Sequence, residues 1–162
     1  PDAKVGLPEV LIGILPGGGG TQRLPRLIGP KAALDVIVTG RHVPAPQAKA
    51  LGILDAVVTG DLRKEAIKFA RGIAAKRPFP IVRDMTDKLA EAKADPGMFD
   101  AMRAAIARRA RGQKAPYNCI ACVEAAVSQP FDEGIATEQR LFRELENSDE
   151  AKIGRASCRE RV

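Results

Sequence analysis

Gly6-Leu7-Pro8-Glu9-Val10-Leu11-Ile12-Gly13-Ile14-Leu15-Pro16-Gly17-Gly18-Gly19-Gly20-Thr21-Gln22-Arg23-Leu24-Pro25-Arg26-Leu27-Ile28-Gly29 is the stretch of this 162-residue chain that decides its fold. Lys4-Val5-Gly6-Leu7 leads into it with strand character, Leu7-Pro8 turns the chain, and residues 10–15 are a nearly unbroken apolar run. Pro16 and four glycines then break any regular element, so strand, loop and helix is the economical order. Thr21 is placed to cap a helix that carries Leu24, Leu27 and Ile28, and Gly29-Pro30 stops it. Working outward, a second helix is predicted over 31–38, ending at Thr39-Gly40, and a third over 45–51. Residues 53–58, Ile-Leu-Asp-Ala-Val-Val, are β-branched enough to predict a buried strand. The first sixty residues are therefore α/β in character.

Beyond Gly60 the periodicity is helical throughout. Leu62, Ala66, Phe69, Ala70 and Ile73 share one face, as do Met98, Met102, Ala105 and Ile106, and Ile120, Val123, Ala126 and Val127. A last helix carries Phe131, Ile135, Glu138, Phe142 and Leu145 beside a strongly charged face. Pro78, Pro80, Pro96, Pro116 and Pro130 punctuate these segments, and residues 112–116 are the best linker candidate. Apolar residues at 45% and charged residues at 28% fit a globular body. No apolar run reaches the roughly 20 residues that cross a bilayer, so no membrane span is expected. The net charge of +6 invites a nucleic-acid reading, but Trp is absent, Tyr occurs once and the bases alternate with acids at helical spacing. A solvated helical surface accounts for that charge. Three cysteines without a secretion signal predict reduced thiols and a cytoplasmic compartment.

Few residues are equipped for chemistry. The glycines before Thr21 could present backbone N–H groups to a phosphate, although the Gly-Lys-Ser/Thr ending of a P-loop and a dinucleotide fingerprint are both missing; a loop needing only backbone freedom is favoured. Glu9 precedes the apolar run, where a carboxylate is either a surface group at a strand end or one held in an apolar pocket and suited to proton exchange. By itself the surface reading is favoured. Cys119 and Cys122 have redox or half-zinc-site spacing but no second Cys/His pair, so no metal is expected. His42 lacks an orienting partner in sequence and reads as a turn residue. Arg103, Arg108, Arg109, Arg111 and Lys114 form a basic cluster that reads as a solvated face rather than a site for an anion.

The long stretch quoted above closely resembles the signature of the enoyl-CoA hydratase/isomerase, or crotonase, superfamily. The resemblance continues through Ala33-Leu34, Thr39-Gly40-Arg41, Ala48 and residues 50–58. A second, less specific resemblance, to the hydratase part of long fused hydratase/3-hydroxyacyl-CoA dehydrogenases, lies in Ala115-Pro116-Tyr117, Val123-Glu124-Ala125-Ala126-Val127, Pro130-Phe131-Asp132-Glu133-Gly134 and Asn147-Ser148-Asp149. It implies an α/β fold, the C-terminal part of a crotonase-type ββα spiral followed by a helical region. Residues 1–60 would be the end of that core, 61–152 the helical region and connecting helices.

The resemblance also implies a chemistry. Glu9 would be one of two catalytic carboxylates that flank the attacking water, delivering a proton to the α-carbon of an enoyl thioester, and the backbone N–H of Gly17 would hold that water. The partner glutamate, both oxyanion-hole donors and most of the CoA pocket would belong to segments before Pro1, so the chain alone is expected to be inactive. An acyl-CoA is the implied substrate. Hydration implies no metal or cofactor; NAD enters only with a dehydrogenase domain, and that domain or an oligomer would be the partner. A Δ3-Δ2-enoyl-CoA isomerase or another acyl-CoA member of the superfamily and, from another class, a basic helical binding module are the rival readings. Two expectations concern the ends. The absence of an initiator Met reads as a cut, and residues 153–162, without apolar period, back-translate into codons resembling a sequencing-library adapter.

Overall fold

The computed structural model describes residues 1–95 and 97–159. Two short strands, β1 (Lys4–Val5) and β2 (Val43–Pro44), pair antiparallel with Lys4 opposite Pro44 and Val5 opposite Val43. A 3-10 turn at Pro8–Ile12 leads to the glycines. Then come α1 (Gly20–Ile28), α2 (Pro30–Thr39), α3 (Ala45–Leu51), α4 (Leu62–Ile73), α5 (Asp87–Lys93), α6 (Met98–Ile106), α7 (Ala115–Ser128), α8 (Phe131–Glu146) and α9 (Asp149–Arg159). Among the described residues no helix is long and apolar enough to cross a membrane.

Helix α7 is the axis of the packing. Cys119, Ile120, Cys122, Val123, Ala125, Ala126 and Val127 are all buried, and a helix apolar on most of its circumference has to lie inside. α1, α2, α5, α6 and α8 pack around it. Leu15, Leu34, Ile37, Val43 and Leu145 complete one continuous core that joins the two ends of the chain. Each such side chain contributes about 1.5–3 kcal/mol on full burial. The turn between α1 and α2 is a single residue, Gly29, whose φ of 87° and ψ of 149° suit only glycine. Pro30 then starts α2 at a position where its missing N–H costs nothing.

Several sequence-based expectations change. Residues 53–58 form no strand: β-branched residues favour strands through packing on paired neighbours, and the only pairing among the described residues is β1 with β2. The α/β character of the first sixty residues is thus reduced to that pair with three helices. Thr21 is not the N-cap of α1; Gly19, in the left-handed region at φ 84°, takes that place, and Thr21 lies inside the first turn. Pro116 belongs to the first turn of α7 rather than to a linker. Instead of a patternless tail, residues 153–159 continue α9; the last three residues lie outside the described ones. α4 forms where the period places it, with Asp61 capping Lys64 N–H at 3.1 Å, but none of its residues is buried.

Candidate active site

Glu9 sits on the 3-10 turn, which Pro8 starts and Gly13, at φ 76°, closes. The turn is held by Gly13 N–H donating to the Val10 carbonyl at 3.2 Å and Ile14 N–H donating to that of Glu9 at 3.3 Å. α2, α7 and α9 pack against it. The result is a half-buried carboxylate, and its Oε2 is buried without a hydrogen-bond partner. An oxygen in that condition carries a desolvation cost with no compensation from the protein, a condition it shares with Gln22 Oε1 and Arg26 Nε.

The glycines run back across this turn. A Cβ on Gly20 would stand 3.1 Å from Leu7 Cδ1 and 3.0 Å from Pro16 Cβ, so the end of the loop lies directly on the residue two before Glu9. Gly17 is exposed yet shielded on one side: a Cβ there would meet the Phe142 ring at 2.6 Å. Among the described residues the Gly17 N–H donates to no protein acceptor.

The N-terminus of α1 has an internal anion. Glu138, fully buried on α8, accepts from Gly19 N–H at 2.7 Å and Thr21 N–H at 3.1 Å on its two oxygens, and from the Thr21 hydroxyl at 2.5 Å. A carboxylate at a helix N-terminus meets free N–H groups and the positive end of the dipole. The N–H groups of Gly19 and Thr21 are therefore already engaged and not open to a phosphate. Beside it Gln22, also fully buried, donates through Nε2 to the Cys122 carbonyl at 2.8 Å and ties α1 to α7.

Glu138, Gln22 and Phe142 were missed as site residues. Glu138 falls on the phase of the apolar stripe of α8, and an acid on a buried phase signals a polar partner inside. The partner itself, 119 residues away at Gly19, could not be read from periodicity.

The remaining candidates separate. Cys119 and Cys122 are free and fully buried. Burial above all, then Cys122 and the charges of Glu9 and Glu138, pushes the Cys119 thiol well above its ordinary range. Cys122 is pushed up to about 12, again chiefly by burial and then by Glu138. Among the described residues no group of three or more His, Cys, Asp or Glu could hold a metal ion. His42 is exposed on the approach to β2. Arg103 pairs with Asp100 at 2.8 Å and with Glu124, while Arg108, Arg109, Arg111 and Lys114 face solvent. A recess of about 220 Å³ lined by Leu7, Gly20, Leu24, Leu27, Val36 and Val43 opens beside the Glu9 turn. A second recess, of about 540 Å³, lies between Pro30, Asp35 and Met98 and is lined by neither Glu9 nor Gly17.

Residues 1–101 match the sequence profile described as enoyl-CoA hydratase/isomerase. The peroxisomal bifunctional enzyme of Cavia porcellus is 43% identical over 151 residues, 93% of this chain and 21% of its own length. The fatty acid oxidation complex subunit alpha of Shewanella putrefaciens is 35% identical over 157 residues, 94% of this chain and 22% of its own length. The chain thus spans about one fifth of these relatives. A solved enoyl-CoA hydratase subunit I from Geobacillus kaustophilus is 31% identical, with 98% of this chain and 49% of that one covered, at a TM-score of 0.42.

Proposed function

The chain belongs to the enoyl-CoA hydratase/isomerase family, and from that premise we propose that it supplies one catalytic carboxylate and the water-holding loop of an enoyl-CoA hydratase. In this reading the substrate is a trans-2-enoyl-CoA in fatty acid β-oxidation and the product a 3-hydroxyacyl-CoA. The observation that carries it is the buried, unpartnered Oε2 of Glu9 on the turn that follows Leu7, the residue against which Gly20 packs. Water, held by the free N–H of Gly17, adds its oxygen to C3 and gives up one proton to the second carboxylate that the resemblance implies, while Glu9 delivers a proton to C2. Atoms and electrons balance without an oxidant or reductant, so the step itself calls for no redox cofactor. The names of the two relatives, a bifunctional enzyme and a complex subunit, support a longer parent in which a second activity is fused. NAD would belong to that second part. Their names also separate a peroxisomal from a bacterial setting, so the compartment follows the parent rather than the thiols of this chain.

The test uses the full-length protein that carries this stretch and follows loss of the enoyl thioester absorbance of crotonyl-CoA. Glu9→Gln should keep the fold and lower turnover by at least about 10²-fold, because an amide cannot exchange the proton. The 162-residue chain alone should be silent. Full activity of Glu9→Gln would make Glu9 structural and sink the reading. Double-bond migration in a 3-enoyl-CoA without hydration of crotonyl-CoA would replace it with the isomerase.

A further inference from the structure

α8 reaches the glycine loop along one face. Gly134 lies against Gln22, where a Cβ would collide with the side-chain amide; Ile135 Cδ1 stands 3.2 Å from the Cβ position of Gly19; Phe142 covers Gly17. Glu138 sits between them, one turn from either end, which is the spacing that puts side chains on the same helical face. Among these contacts the carboxylate is the directional one. It takes two backbone N–H groups and one hydroxyl, all from residues 19 and 21 and all in full burial, where hydrogen bonds to a charged acceptor are strongest.

Arg23 of α1 holds the loop at the Gly18 carbonyl, at 2.8 Å, and Glu138 holds it from another helix. Its four consecutive glycines have no side chains with which to fix their own path, and the Cβ position of Gly18 has nothing within 4 Å. Gly17 is two residues from the first donor to Glu138, and the Phe142 ring of the same helix lies where a Gly17 side chain would stand. We propose that Glu138 is a positioning residue for hydration: from α8 it fixes the glycine loop, and so sets where Gly17 N–H holds water relative to Glu9. The inference rests on the roles given to Glu9 and Gly17 above. A misplacement of about 1 Å in such an arrangement costs on the order of 10²-fold in rate.

A purely structural tie between α8 and α1 would lower the amount or stability of folded protein and leave turnover of the folded fraction unchanged. The experiment therefore reads both, in the full-length protein, with Glu138→Gln, Thr21→Val and Thr21→Ser. kcat and KM for crotonyl-CoA are measured beside amide hydrogen exchange in residues 17–21 and in α7. Glu138→Gln should lower kcat by at least about tenfold with KM within about twofold. Exchange at Gly19 and Thr21 should quicken by at least about tenfold while α7 stays protected. Thr21→Val, which removes one donor, should move both readings the same way by a smaller factor, and Thr21→Ser, which keeps the hydroxyl, should bring them back. Faster loop exchange with unchanged kcat overturns the inference, and so does a fall in kcat that comes only with loss of protection in α7 and spares Thr21→Val. Should the unsubstituted protein fail to hydrate crotonyl-CoA, the hydratase reading fails and takes the inference with it; the exchange data then still report whether Glu138 fixes the loop.

Discussion

Two thiols three residues apart on α7 give the folded state a pH dependence of its own. A thiol ordinarily titrates near 9.0, and burial holds Cys119 well above that and Cys122 up to about 12. The folded protein thus keeps protons that the unfolded chain releases. That contribution to stability is complete below about pH 9 and is lost as pH climbs toward 12. Denaturant melts between pH 8 and pH 11 should show the unsubstituted chain losing more stability than the Cys119→Ala, Cys122→Ala variant, in which neither group titrates. Parallel losses in the two proteins would refute the assignment. Glu9 shows how far one residue could be read. Its place before an apolar run left a surface group as the simpler choice, and only the wording of the surrounding stretch argued otherwise. The structure adds the buried Oε2 that neither composition nor periodicity could supply.

At the level of elements, legibility followed the range of the cause. α2, α3, α7 and α8 were recognisable because glycine stops, proline starts and the apolar period all act within a few residues. The strand expected at 53–58 depended on a partner elsewhere, and β-branched residues cannot make a strand alone. α9 was missed because its phase is poor. Among the described side chains Ala151 is its one fully buried residue, Gly154 sits against the backbone of Ile12, and no side chain described in 153–157 is buried. Removing residues 153–162 should therefore change the stability of the chain by no more than about 0.5 kcal/mol, whereas Ala151→Glu, which forces a charge into a filled site, should cost at least about 3 kcal/mol. Thermal melts of the three proteins decide it. A large loss on truncation would mean that the end of α9 supports the Glu9 turn through Ile12.

Across the whole molecule, the helical region after residue 60 does not stand apart from what precedes it. Its α7 and α8 join the core of α1 and α2, and its Glu138 reaches into the glycine loop. A division of the chain by periodicity alone could not see this, because the contacts span more than a hundred residues. One part does stay outside the core: α4 and the segment after it leave Leu62 at 71%, Phe79 at 45% and Ile81 at 58% exposed. On a body carrying +6, these greasy side chains meet an opposing force. Like-charged copies repel one another over about 30 Å at 0.01 M salt but over only about 8 Å at 0.15 M. The chain should accordingly behave as a salt-sensitive colloid: light scattering from a fixed concentration should grow as salt is added and fall on dialysis back, and Leu62→Lys should blunt the growth. Scattering indifferent to salt and to that substitution would show that the exposed side chains do not govern its solubility.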